Sequence, residues 1–337
     1  MSLSGVNHTG QMASTITLND IHTAQTRLQG ITVRTRLIEF NHPESAVRRL
    51  FLKPENQQPI GAFKLRGAYN KIASLSPEDR KRGVISYSSG NHAQGVAYAA
   101  RALGVKSVIV MPDNAPAMKR EATAALGAEI VVVGPGSAER QLKAEELAAQ
   151  HGYVIVPPYN DEQIIAGQGT MGLEIIEDLP EVEAVLAPVG GGGMLSGVAT
   201  AIKLTNPSTK VIGVEPELAG DAQASFRAGK VVQFPAGEVS RTIADGLRTQ
   251  SIGAINFEHI RRYVDDIVTV SEEEIRRTVR LLAANPATVA EPSGAVAAAG
   301  FLFRGEQLSK TKLNVAIISG GNIDPQVLEE IRRDIHR

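Results

Sequence analysis

Ala184-Val185-Leu186-Ala187-Pro188-Val189-Gly190-Gly191-Gly192-Gly193-Met194 is an apolar run that breaks into four glycines and resumes as small and apolar residues at helical spacing. An uninterrupted apolar run reads as a strand buried on both faces, which is the signature of a parallel sheet covered by helices. Four successive glycines cost more backbone entropy than a simple turn requires. They leave bare N–H groups at a strand-to-helix junction, the arrangement that holds a phosphate. Short β-branched runs recur at Val84–Ser86, Ser107–Met111, Glu129–Val133, Val154–Val156, Val211–Glu215 and Val315–Ser319. Helix starts lie among them: Ser76-Pro77-Glu78-Asp79 offers an N-cap with proline in the first helical position, Ser271-Glu272-Glu273-Glu274 is a capping box, and Asp324-Pro325 opens a last helix. Strands alternating with helices give βαβ units and an α/β fold. Three strands run directly into polar or glycine-rich segments: Ser88-Ser89-Gly90-Asn91-His92, the four-glycine loop, and Ser319-Gly320-Gly321-Asn322. Ligands bind beyond the carboxyl ends of parallel strands, so these segments are expected to share one site.

The composition narrows the function. A length of 337 residues favours two domains, and 43% hydrophobic with 21% charged residues is an ordinary globular balance. Lys and Arg number 35 against 36 for Asp and Glu, so no overall charge points to nucleic acid or an anionic membrane. The absence of cysteine excludes disulfides, thiolate nucleophiles and Cys-ligated metals. Met1–Ser14 has neither a basic nor an apolar region of a secretory signal, and a cytoplasmic protein is expected. The charge-free stretch 184–202 contains one Pro and five Gly, which argues against a membrane span.

Two phosphate-binding fingerprints fail. A dinucleotide motif begun at Gly190 or Gly191 meets Leu195 or Ser196 where Gly or Ala is needed, although Glu215 follows at a suitable distance. A P-loop begun at Gly192 reaches Gly197 and then Val198-Ala199 in place of Lys and Ser or Thr.

Pro59-Ile60-Gly61-Ala62-Phe63-Lys64-Leu65-Arg66-Gly67-Ala68 carries a lysine beside an aromatic ring. Alone, such a lysine reads as a solvated surface charge. Together with the three glycine- and asparagine-rich segments, in this order and at these separations, it resembles the fold-type II pyridoxal phosphate enzymes, in the branch of serine/threonine dehydratases and serine racemases. The resemblance covers nearly the whole chain from about Thr17. It implies a tryptophan synthase β-like architecture of two open parallel-sheet domains. A small domain, 83–160, is inserted in a large cofactor-binding one, 1–82 and 161–337.

By this resemblance Lys64 forms the Schiff base with pyridoxal 5'-phosphate and Phe63 lies beside the ring. Asn91 bonds the ring hydroxyl, Gly190, Gly191, Gly192, Gly193 and Met194 hold the phosphate, Ser319 faces the pyridine nitrogen, and Glu291 lies near the ring. A hydroxyl rather than a carboxylate at that nitrogen leaves the pyridine unprotonated, a weaker electron sink suited to prompt loss of a β-hydroxyl. Ala62 departs from the serine usual before the Phe-Lys pair.

Lys64 and Ser89 are the catalytic candidates; Ser89 matches the acid/base that serine racemases use on the face opposite the lysine. Ser88, Ser89 and His92 are candidates for the substrate carboxylate or for bonds within their own loop. Arg140 and Tyr159 are further substrate-side candidates that could equally be a solvated charge and a packing ring. In Glu215-Pro216-Glu217-Leu218-Ala219-Gly220-Asp221 the spacing makes an oxygen-rich cup, which the racemase branch fills with Mg, Ca or Mn through Glu215, the Ala219 carbonyl and Asp221.

The implied activity is elimination from L-threonine or L-serine to a 2-oxo acid and ammonia, by a homodimer acting on a small amino acid. Serine racemase and threo-3-hydroxyaspartate dehydratase are the rivals within the chemistry. A sensor of a phosphorylated ligand and a nicotinamide oxidoreductase are the rivals outside it. With 15 residues after Asn322, isoleucine feedback through a regulatory domain is not expected.

Overall fold

The computed structural model describes residues 15–88, 90–115, 117–134, 136–305 and 310–333. The chain runs α1 (Leu18–Leu28), β1 (Ile38–Phe40), β2 (Arg49–Pro54), α2 (Lys64–Ala73), α3 (Pro77–Arg82), β3 (Val84–Tyr87), α4 (Asn91–Ala102) and β4 (Ser107–Pro112). It continues with α5 (Ala117–Ala125), β5 (Glu129–Val133), α6 (Ser137–His151), β6 (Val154–Ile155), α7 (Glu162–Asp178), β7 (Ala184–Pro188), α8 (Gly193–Thr205) and β8 (Lys210–Pro216). The remainder is α9 (Asp221–Ala228), α10 (Ala236–Val239), α11 (Ala254–Tyr263), β9 (Asp266–Val270), α12 (Glu272–Leu282), α13 (Pro292–Phe303), β10 (Leu313–Ile318) and α14 (Pro325–Arg333).

The helix starts follow their local chemistry. Ser76 Oγ accepts from the Asp79 amide at 3.1 Å, and Asp324 accepts from the Gln326 amide at 2.8 Å. At α12 the capping box closes both ways: Ser271 Oγ accepts from the Glu274 amide, and the Glu274 carboxylate accepts from the Ser271 amide.

Two sheets form. The larger has the order β1-β2-β10-β7-β8-β9 and is parallel except for β1, which pairs antiparallel with β2 at the edge. The smaller, β5-β4-β3-β6, is parallel throughout. Period-two alternation divides each strand between two cores. Ala184 and Leu186 of β7 pack with Ile275 and Val279 of α12 and the alanines of α13, while Val185 and Ala187 pack with α7 and α8. In the smaller sheet Val84, Ile109 and Met111 face α2 and α4, whereas Ile85, Val108 and Val110 meet Ala144 of α6.

Strand order reverses once in each sheet. In the larger, β8 and β9 lie on one side of β7 and the later β10 on the other; in the smaller, β4 and β5 lie on one side of β3 and β6 on the other. Connections leave in opposite directions at such a point and open a crevice at the carboxyl ends of the strands. Among the described residues no helix is long and apolar enough to cross a membrane.

Candidate active site

The Lys64 segment is fastened to the end of β10. Ala62 forms an isolated bridge with Gly320, the Phe63 amide donates to the Ser319 carbonyl at 3.0 Å, and the Gly321 amide donates to the Gly61 carbonyl at 2.9 Å. Lys64 then opens α2. Its Nζ donates to the Pro158 carbonyl at 2.8 Å and lies 5.2 Å from the centre of the Phe63 ring. Burial pushes the amine down to about 8, because charge is disfavoured where water is excluded. Among the described residues no carboxylate forms an ion pair with it.

Beyond β7 the glycine loop turns through left-handed backbone, with φ +51° at Gly190 and +92° at Gly192. A Cβ on Gly192 would stand 2.9 Å from the Asn256 Cβ, so conformation and space both require glycine there. The loop delivers the chain into α8, whose first turn has no side-chain cap. Its first amides therefore point outward without helical partners, towards the place of an anion. The Tyr159 ring leans on this loop: a Cβ on Gly191 would meet it at 2.3 Å. Burial pushes the Tyr159 hydroxyl up to about 12. Because Pro158 binds Lys64, the segment after β6 brings the lysine and the glycine loop together.

Asn91 opens α4 at the end of β3. Its amide donates to Glu291 Oε1 at 2.6 Å, and its carbonyl oxygen accepts from Asn322 at 2.8 Å. Asn322 also donates to the Ile60 carbonyl at 2.9 Å. Glu291 is buried at the head of α13; burial, with a smaller contribution from the Asp245 charge, pushes its carboxyl up to about 7. Ser319 Oγ donates to the Ser293 carbonyl at 3.4 Å. His92 is buried, donates from Nε2 to the Val156 carbonyl at 3.0 Å, and is driven down to about 3 by burial and then by the Lys64 charge. It is therefore a neutral strap between α4 and β6. Ser88 Oγ accepts from the Gly90 amide at 3.3 Å, and Ser89 lies outside the described residues. Arg140 sits in the first turn of α6, which packs on β3 and β4.

The acidic cup also forms at a strand end. Glu215, near the end of β8, accepts from the Gln223 amide at 2.8 Å and the Ala222 amide at 3.4 Å. Asp221 opens α9; its two oxygens are buried and accept no hydrogen bond of ordinary length and angle. Burial, and then the Asp221 charge, raises Glu215 well above the usual carboxylate range, and burial pushes Asp221 up to about 7. Among the described residues no three His, Asp or Glu side chains cluster as metal ligands.

Two participants had no local signal in the sequence. Asn322, which joins Asn91 to the Ile60 carbonyl, belongs to a motif in which the sequence gives a role to Ser319 alone. Lys119 of α5 meets Asp245 at 2.6 Å, a contact across 126 positions.

Residues 28–320 match the family model described as pyridoxal-phosphate dependent enzyme. The chain is 46% identical to an L-threonine ammonia-lyase of Thermotoga maritima, over 94% of this chain and 78% of that protein. It is 43% identical to an L-threo-3-hydroxyaspartate ammonia-lyase of Saccharomyces cerevisiae, over 82% of this chain and 83% of that one. The solved structure of maize serine racemase superposes with a TM-score of 0.89 at 35% identity, covering 94% of this chain and 97% of that one.

Proposed function

The chain belongs to the pyridoxal-phosphate dependent enzymes, and we propose that it is an ammonia-lyase that converts L-threonine or L-serine to the corresponding 2-oxo acid and ammonia. The observation that carries this is Lys64: a desolvated amine with no carboxylate partner among the described residues, held where the end of β10 and the segment after β6 meet. The tryptophan synthase β-like, fold-type II architecture accounts for that meeting.

The residues present fit the cofactor. The uncapped first turn of α8 and the backbone of Gly190–Met194 suit its phosphate. Phe63 flanks Lys64, and the Asn91 amide and the Ser319 hydroxyl would reach polar atoms of the ring, with Glu291 fixing Asn91. When bound, the cofactor accepts the electron pair left on the α-carbon. The chain supplies the rest. Lys64 Nζ takes the α-proton, the β-hydroxyl departs as water, and hydrolysis of the remaining nitrogen-bearing fragment returns that water and releases the 2-oxo acid and ammonia. Ser88 and His92 shape the loop that meets the substrate carboxylate, Ser89 stands as the acid/base of the opposite face, Tyr159 borders the substrate side chain, and Arg140 is a further residue on the substrate side.

The Glu215–Asp221 cup fits a hard divalent cation, Mg, Ca or Mn. Its donors are oxygens, the two Asp221 oxygens accept no hydrogen bond of ordinary length and angle from the described residues, and two buried carboxylates repel unless a cation joins them. The Ala219 carbonyl would be a third ligand. We also assign residues 83–160 to the small domain and the flanks to the large one, in a cytoplasmic homodimer.

The similarity to maize serine racemase favours one second reading, racemisation of serine. One assay separates the two. L-Threonine, L-serine and L-threo-3-hydroxyaspartate are supplied in parallel with pyridoxal phosphate and Mg, and both 2-oxo acid release and the chirality of residual serine are followed. Oxo acid with little D-serine is the expected result. D-Serine in excess of oxo acid overturns it, and oxo acid from hydroxyaspartate alone moves the substrate to that acid.

A further inference from the structure

Beneath α2, on the side away from the cleft, lies a closed ion cluster that the reaction does not use. Lys53, Glu55, Arg66 and Glu174 are all buried. Arg66 Nε and Nη2 donate to the two oxygens of Glu55, each at 2.8 Å. Its Nη1 and Nη2 donate to the two oxygens of Glu174 at 2.7 and 2.9 Å, and Nη1 also reaches Thr170 Oγ1 at 3.1 Å. Lys53 Nζ donates to Glu174 and to the Thr35 carbonyl at 2.6 Å. Thr35 Oγ1 and the Gln58 amide donate to Glu55 in turn. The cluster therefore ties β2, the turn after it, the 33–35 segment and α7 to one guanidinium.

That guanidinium belongs to the first turn of α2, two residues after Lys64. At 100° per residue the two side chains diverge by about 200°, so Lys64 faces the Pro158 carbonyl while Arg66 is driven into the core. The first turn of α2 has Phe63 at its N-cap position and no side-chain cap. The helix end that carries Lys64 is therefore not fixed in the ordinary way. A buried ion cluster is a poor source of stability compared with apolar packing. A planar fork engaged by two carboxylates is instead satisfied in one orientation only. Two cations face two anions, so the cluster holds direction without placing a net charge behind the lysine.

We propose that Arg66, clamped by Glu55 and Glu174 and backed by Lys53, is the positioning residue that sets the direction of Lys64. The proposal rests on the assignment of Lys64 to the reaction.

Arg66→Lys keeps the charge and loses the fork, so one ammonium cannot span both carboxylates. The expected result is a fall in kcat of about tenfold or more with KM changed less than about twofold. A changed visible circular dichroism of the bound cofactor, and faster hydrogen exchange of the 64–67 amides in cofactor-free protein with the β-sheet amides unchanged, accompany it. Uniformly faster exchange, or a kcat per cofactor-loaded site within about twofold of the parent, overturns the proposal. Should Arg66→Lys fail to fold, Thr35→Val with Thr170→Val removes one bond from each flank of the cluster; a kcat lowered about threefold at constant KM supports it, and unchanged kcat with unchanged exchange overturns it. If the parent turns over none of the three hydroxyamino acids, the substrate assignment fails, while the dichroism and exchange still decide the role of Arg66.

Discussion

Asn91 donates to Glu291 at 2.6 Å, and this one bond joins the head of a helix on the smaller sheet to the head of a helix on the larger. The acceptor is a buried carboxyl whose proton is held up to about 7.

That raised value gives a stability difference with a definite sign. Between the ordinary glutamate range and about 7 the folded chain holds a proton on Glu291 that the unfolded chain has released, so the contribution of Glu291 to stability falls as pH rises through this window and is level above it. Glu291→Gln removes that slope. Thermal melts of the two proteins are expected to differ progressively from pH 4.5 to 7, by at most about 3 kcal/mol, with the parent losing more.

Lys64→Ala is expected to leave the sheets intact and to remove the group that, on the proposed reading, takes the α-proton on the lysine face. Turnover is expected to fall by about 10³-fold or more with an unchanged far-ultraviolet spectrum. Turnover within about tenfold of the parent would assign the proton to another residue.

The buried Asp221 oxygens, which accept no hydrogen bond of ordinary length and angle from the described residues, predict a cation-dependent melt. Addition of Mg or Ca is expected to raise Tm through a stabilisation set by mass action, about 2.7 kcal/mol at a hundredfold excess over Kd. Chelation reverses the rise, and Asp221→Asn abolishes it. Equal shifts in parent and variant would remove the cation from this cup.

Gly192→Ala tests the phosphate cradle. Left-handed backbone costs a residue with a Cβ about 1–2 kcal/mol, and the added carbon also presses on Asn256. A modest loss of Tm and a clear loss of cofactor on dialysis are expected; full cofactor retention would show that the loop does not grip the phosphate.

Most strands that could be read from sequence are buried on both faces, while the edge strand Glu129–Val133 was legible from its β-branched residues alone. Val84–Tyr87, Ala184–Pro188 and Leu313–Ile318 present almost unbroken apolar runs because helices cover them on either side. The strand Arg49–Pro54 shows no unbroken apolar run because Lys53 sits inside it as part of the ion cluster, paired with Glu174 at 121 positions' distance. Ile38–Phe40 is only three residues long and half-buried, and Asp266–Val270 is an apolar run broken by Asp266 and Thr269; both lie at edges of the larger sheet. Residues of the site were legible where the backbone itself carries the chemistry, as in the four glycines, and where motifs occur together, as with Lys64. The bond from Asn91 to Glu291 spans 200 positions, and no local pattern announces it.

Strand β2 pairs with β10 in register from Arg49 with Leu313 to Pro54 with Ile318, whereas all four strands of the smaller sheet come from residues 84–155. The two sheets therefore have unequal histories on the ribosome. The smaller has every strand it needs once a contiguous stretch has emerged, and its contacts are comparatively local. The larger must wait with an open flank beside β2 until residues beyond 310 have been made. Lys64 is synthesised early, but the strand end to which its segment is stitched arrives some 250 residues later. A nascent chain has no seat for the cofactor until translation is nearly through that last strand.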